Sequence, residues 1–230
     1  MKDKLIFLDV EATGVEEKDK LFQIAYDFQN KEFQNLYKPE IPISCEAMEV
    51  TGYTNKDVEK REIFKNTQDF KDLEKILKEG ILVAHNAKFD IGMLEKEGLK
   101  IENFIDTLKI AQYLDPNAKL KYYRLQYLRY CLKLDVKDAQ AHDALGDIRV
   151  LKALFERLFQ KMLAEIGDEN KVIEKMIEIS KQPVLIKKFN FGKYQGELID
   201  VVFKKDKGYL EWLYRQKIKQ YEEDGIYDED

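Results

Sequence analysis

The chain has little of what builds a secreted, fibrous or membrane protein. Its 230 residues include two cysteines, Cys45 and Cys131, with no paired metal-binding spacing. A disulfide framework and a cysteine-rich zinc site are thereby excluded, and reduced thiols in a cytoplasmic protein are the expectation. Four prolines and eleven glycines leave no room for collagen-like or proline-rich disorder. Aliphatic runs end after about four residues, against the roughly 20 of a membrane span. Asp9 interrupts the first apolar run where a signal peptide would continue, so neither secretion nor a membrane partner is expected. An excess of basic residues is also missing: 39 Lys and Arg stand against 44 Asp and Glu, a net charge of −5. Such a balance is awkward for a phosphate-rich partner.

What is present lies in the distribution. Six of the acids fall in residues 220–230, which contain no base, and that tail is expected to be disordered. Lys119–Lys137 holds six bases against Asp135, with Tyr122, Tyr123, Tyr127 and Tyr130 interleaved. Ile186–Lys219 holds nine bases against four acids, with Lys193 in a glycine-bracketed turn. Both stretches fit a single-stranded nucleic-acid contact; a solvated helix face is the alternative reading of each.

Hydrophobic periodicity gives the elements. Lys4–Val10 reads as a buried strand, and 21–29 with 32–37 as an antiparallel hairpin about Asn30-Lys31. A short helix follows Ser44, and a longer one, capped by Asn66-Thr67, carries Phe70, Leu73, Ile76 and Leu77. Ile81–Ala84 and Phe104–Asp106 are short strands, each leading into a helix, and a long helix spans about 143–166. Strands and helices in this order make an α/β domain over 1–166 with a mixed sheet. A connecting helix is expected within 167–185, a small module over 186–219, and the acidic tail over 220–230.

Chemistry concentrates at three places. Asp9 and Glu11 lie two apart on the first strand, so their carboxylates share one face of the sheet. Asp90 opens a helix directly after a strand, in His85-Asn-Ala-Lys-Phe-Asp90, and strand ends of open α/β sheets collect ligand-binding groups. His142-Asp-Ala-Leu-Gly-Asp147 opens the long helix, so both histidines of the chain lie in acidic clusters. Four oxygen donors suit Mg²⁺ or Mn²⁺ rather than zinc, and two such ions can clamp the oxygens of a phosphodiester undergoing displacement. A histidine near neutral pKa can take a proton from water.

Asp9-x-Glu11 with Thr13-Gly14, His85-Asn86-x-x-Phe89-Asp90, and His142-x-Ala144-x-x-Asp147 together resemble the DEDDh 3′–5′ exonucleases, the family of the bacterial replicative proofreading subunit. The resemblance implies a ribonuclease H-like fold, with a mixed five-stranded sheet flanked by helices. It implies Asp9, Glu11, Asp90 and Asp147 as ligands of two divalent cations, Mg²⁺ with Mn²⁺ as substitute, and His142 as general base. Ala12, Thr13, Gly14, Met48, Thr51, Asn86 and Phe89 become the substrate contacts. Phe189-Asn-Phe-Gly-Lys-Tyr-Gln-Gly196 and Gly208-Tyr-Leu-x-Trp212-Leu213 resemble the C-terminal α+β module of the exodeoxyribonuclease X-like branch. Where that branch tends to read M-x-x-H-x-I-T, this chain has Met48-Glu-Val-Thr51-Gly-Tyr53-Thr54, with Thr51 in place of a histidine.

The implied activity is removal of 5′-nucleotides from 3′ ends of DNA, single- or double-stranded, in repair or end trimming. Three alternatives stand beside it: an RNA-trimming exonuclease or oligoribonuclease, a polymerase-associated proofreading subunit, and a non-catalytic nucleic-acid binding module. The last would be expected to have lost carboxylates that this chain keeps. His85 is expected to hydrogen-bond within its own turn rather than act chemically.

Overall fold

A computed structural model describes residues 1–136, 144–183, 187–189 and 191–224, with side chains through 219. Five strands, β1 (Leu5–Ala12), β2 (Leu21–Phe28), β3 (Lys31–Leu36), β4 (Ile81–Ala84) and β5 (Phe104–Asp106), form one sheet in the order β3-β2-β1-β4-β5. The first three pair antiparallel, and β4 joins β1 and β5 in parallel. In chain order the helices are α1 (Cys45–Thr51), α2 (Asn55–Val58), α3 (Gln68–Glu79), α4 (Ala87–Lys96), α5 (Thr107–Tyr113), α6 (Leu125–Cys131), α7 (Ala144–Ile166), α8 (Glu169–Lys181), α9 (Ile199–Lys205) and α10 (Lys207–Asp224). This is the mixed, helix-flanked five-stranded sheet of the ribonuclease H-like fold.

The alternation in β1 divides the two layers. Ile6, Leu8, Val10 and Ala12 turn into a core with Leu73, Leu77, Met93 and Leu94 from α3 and α4. On the other face, Phe7 meets Phe155 of α7 edge-on at 5.4 Å, and Lys152 of α7 pairs with the buried Asp27 carboxylate at 2.8 Å. Burying a side chain such as Phe155 contributes roughly 2–3 kcal/mol, so α7 is fixed firmly across β1. Asp9 and Glu11 therefore emerge under α7, the helix that carries Asp147. At Gly80 an added Cβ would fall 2.7 Å from the Ile76 carbonyl oxygen, so this glycine permits α3 to close directly onto β4.

Four expectations are corrected. The hairpin turns at Gln29-Asn30, both with positive φ (53° and 60°), which is the geometry of a tight two-residue hairpin; the connection is one residue earlier than Asn30-Lys31. The first compact unit comprises residues 1–114 and 122–180, so it runs past the boundary expected at 166. The reason lies in α8, whose Val172, Ile173 and Met176 are fully buried, and whose Ser180 Oγ accepts from the Asp106 N–H at 2.8 Å. Residues 115–121 and 181–230 form the second unit. Among its described residues the only β feature is a bridge between Lys188 and Leu198, and its core of Phe189, Tyr194 and Val202 is closed by α9 and α10. Helix α10 continues to Asp224, so the first five residues of the tail expected to be disordered are helical.

Candidate active site

The carboxylates come together because three elements end at one place. β1 presents Asp9 and Glu11, α4 presents Asp90, and α7 presents Asp147. Asp90 is buried and its Oδ1 accepts from the Val10 N–H at 3.1 Å, which ties the start of α4 to β1 between the two acids. The turn before α4 is built to allow this. Asn86 sits in the left-handed region (φ 66°, ψ 51°), a conformation that Asn tolerates better than most residues. Its N–H and that of Ala87 donate to the two oxygens of Asp106 at 3.0 and 3.2 Å. Asp106 also caps α5 through the Leu108 N–H at 3.0 Å. This buried acid joins the turn after β4 to the turn after β5.

Electrostatics mark the cluster. Burial, then Asp90, Glu11 and Asp147, push the Asp9 carboxyl well above the usual carboxylate range, and nothing opposes them. Burial and then Asp147 raise Glu11 to about 7. Asp90 is also pushed well up by burial, against the relief of its backbone hydrogen bonds. Asp9, Glu11 and Asp90 are thus raised by burial and by neighbouring carboxylates, and such buried acids must hold protons or cations. The donor set is all oxygen, which fits Mg²⁺ or Mn²⁺. Among the described residues, no three of these groups converge as a formed coordination site. Instead Asp90 is turned to Val10, and Asp147 Oδ1 accepts from Gln126 Nε2 of α6.

The other implied residues divide by what their side chains already do. His142 lies outside the described residues. Thr13 is fully buried; its hydroxyl donates to Asp19 Oδ1 at 2.8 Å and its N–H to the Lys20 carbonyl at 2.8 Å. A Cβ on Gly14 would fall 2.5 Å from Asp19 Oδ2, and that oxygen is held by the Glu16 N–H at 2.7 Å. Thr13 and Gly14 thus shape the loop after β1 around Asp19. Ala12 points into the core. Thr51 donates to the Ala47 carbonyl at 2.8 Å, and Met48 packs with Phe22, Ile43 and Val58. Phe89 packs against the main core, while Asn86 is exposed.

Three contributors carried no local signal: Asp19, Asp106 and Gln126. His85 also differs from expectation, because its partners lie outside its turn. Its Nε2–H donates to the Tyr123 carbonyl at 2.7 Å, and Nδ1 stands 2.9 Å from Thr107 Oγ1. Burial lowers its pKa, which favours the neutral ring. This imidazole pins the entry of α6, the helix whose Gln126 holds Asp147. The cavity lined by Met1, Lys4, Gly80, Ile81, Asn103 and Glu174 opens at the opposite ends of the parallel strands and contains none of these groups.

A sequence model described as "Exonuclease" matches residues 6–155, and one described as "Exodeoxyribonuclease X-like C-terminal" matches residues 189–217. The chain belongs to the exonuclease family. Exodeoxyribonuclease 10 of Escherichia coli K12 is 30% identical over 184 residues, covering 78% of this chain and 75% of that protein. A PolC-type DNA polymerase III from Caldanaerobacter subterraneus subsp. tengcongensis is 28% identical over 200 residues, which are 80% of this chain and 14% of that polymerase. This chain thus spans a small part of the polymerase and most of the exodeoxyribonuclease. Among solved structures, exonuclease X in complex with 5′-overhanging duplex DNA superposes with a TM-score of 0.60 at 25% identity, covering 76% of this chain and 99% of that one. The exonuclease family match spans all four carboxylates, and the C-terminal match falls within the second unit.

Proposed function

We propose that the protein is a 3′–5′ exodeoxyribonuclease that hydrolyses the terminal phosphodiester of a DNA strand and releases a 5′-nucleotide. The observation that carries this reading is the buried Asp9 carboxyl crowded by Asp90, Glu11 and Asp147, with no basic side chain among the groups that shift it, in a member of the exonuclease family. Divalent ions bound there, Mg²⁺ in the first instance, supply Lewis-acid stabilisation of the phosphoryl oxygens and a water of lowered pKa. Asp9 and Glu11 hold one wall of the site on a rigid strand, and Asp90 and Asp147 close it from α4 and α7. His142, five residues before Asp147, takes the proton of the attacking water, and Asn86 at the exposed rim contacts the terminal nucleotide.

The preference for DNA rests on the likeness to exodeoxyribonuclease 10 over most of both chains. It also rests on the C-terminal match, which lies beyond the catalytic domain. Matched DNA and RNA oligomers, each labelled at the 5′ or the 3′ end, test it with Mg²⁺. Shortening of the 5′-labelled DNA, with 5′-mononucleotide released, is expected. Faster loss of the RNA would move the assignment to RNA trimming. The part-length match to a polymerase keeps one other reading open, a proofreading exonuclease working with a polymerase; co-purification of a stable complex would favour it.

A further inference from the structure

The second unit spends its aromatic residues in two ways. Phe189, Tyr194 and Val202 are buried, with Ile199, Tyr209, Leu210 and Leu213 packed on them. These residues occupy one side of α10 through positions 209, 210 and 213. Trp212, Arg215, Gln216 and Lys219 recur at spacings of three and four, which places them along a different, solvent-facing stripe of the same helix. Trp212 is 53% exposed, although an indole is among the side chains that gain most from burial. It is nevertheless fixed: its ring lies 5.6 Å from that of Tyr209, which is set edge-on against Tyr194 at 5.0 Å and Phe189 at 5.7 Å. Arg215 follows it by three residues, and Lys219 by seven, about one and two turns of helix.

Charge selects what this surface meets. Ile186–Lys219 carries nine bases and four acids in a chain whose net charge is −5. Three of the acids, Glu197, Asp206 and Glu211, are paired with Lys205, Lys193 and Lys207. Lys193, in the glycine-bracketed turn, pairs with Asp206 at 3.0 Å. A second copy set with the same stretch against this one would bring nine bases to nine bases, and an acidic peptide would leave the indole unused. A braced, exposed ring with a guanidinium one turn away matches a base and its phosphate together.

We propose that α10 of the second unit holds single-stranded nucleic acid, with Trp212 as a stacking platform and Arg215 as a phosphate contact. The strand would be the substrate of the proposed exonuclease, so the inference deepens that reading. The two units share one chain, so a strand bound by the second unit is tethered covalently to the catalytic domain.

Trp212 is the chain's only tryptophan, so its emission reports on this unit alone. The full chain is titrated with a dT oligomer in EDTA, which prevents hydrolysis, while indole fluorescence is read. Saturable quenching is expected, with an affinity about tenfold weaker and a salt slope about one unit shallower for Arg215→Glu. Unchanged emission would overturn the proposal, as would quenching that Arg215→Glu leaves untouched. Emission that changes with protein concentration before any oligomer is added would assign the face to a second copy, and would also overturn it. Hydrolysis with Mg²⁺ is measured separately on the same preparation. Hydrolysis without quenching refutes the strand site and leaves the exonuclease reading intact; quenching without hydrolysis does the reverse.

Discussion

Glu11 offers a quantitative test of the acidic cluster, because its carboxyl rises from a usual 4.5 to about 7. A group whose folded-state pKa is raised imposes no cost below its unfolded value. Its full cost appears once the pH has passed the folded value. The shift corresponds to roughly 3–4 kcal/mol at most, and to about 2 kcal/mol when the residual solvent access of Glu11 is allowed for. Glu11→Gln keeps the shape and removes the charge. In chelator, the variant should melt close to the wild type at pH 4.5. At pH 8 it should melt higher by roughly 4–8 °C, since about 1 kcal/mol moves the melting point of a chain this size by 2–4 °C. Saturating Mg²⁺ should reverse the order, because only the wild type keeps every ligand. Differential scanning calorimetry of the pair at the two pH values supplies the comparison. If Glu11→Gln were equally or less stable than the wild type at pH 8 without metal, the proposed crowding of charge would be wrong.

Other consequences follow from the same contacts. Protons and cations compete for these carboxylates, so the Mg²⁺ concentration giving half-maximal activity should fall as pH rises from 6 to 8; an invariant value would contradict the raised pKa of Glu11. Gln126→Ala removes the donor that orients Asp147 and should lower kcat about tenfold or more with KM little changed, read from initial rates on one oligomer. Asp19→Ala leaves the buried Thr13 hydroxyl and the Glu16 N–H without their acceptor and should cost about 1–3 kcal/mol in urea unfolding.

Much of this site was legible because it rests on local patterns. Alternation along β1 put Asp9 and Glu11 on one face without knowledge of what covers them. Asp90 and Asp147 could be placed because each opens a helix. The contributors that escaped notice act across the chain. Gln126 meets Asp147 from a different helix, Asp106 joins two turns about 20 residues apart, and His85 reaches Tyr123 rather than its own turn. The true extent of the first unit was hidden for a related reason. Helix α8 has an ordinary amphipathic pattern that fits either a connecting helix or a packed one, and only Ser180 under Asp106 and the burial of Met176 decide between them. Thr13 and Thr51 were named by their place in a motif, which does not reveal that their hydroxyls also donate to Asp19 and to the Ala47 carbonyl.

The central claim is that four carboxylates hold divalent ions for stepwise hydrolysis from a 3′ end. Its most direct test is a time course on a 5′-labelled single-stranded oligodeoxynucleotide, with the wild type, Asp9→Asn and Asp147→Asn, each in Mg²⁺ and in EDTA. The account predicts a ladder that shortens one nucleotide at a time for the wild type in Mg²⁺. In either variant, or with chelator, the rate should fall at least about 100-fold. A ladder that persists at the wild-type rate in Asp9→Asn, or in EDTA, would contradict it.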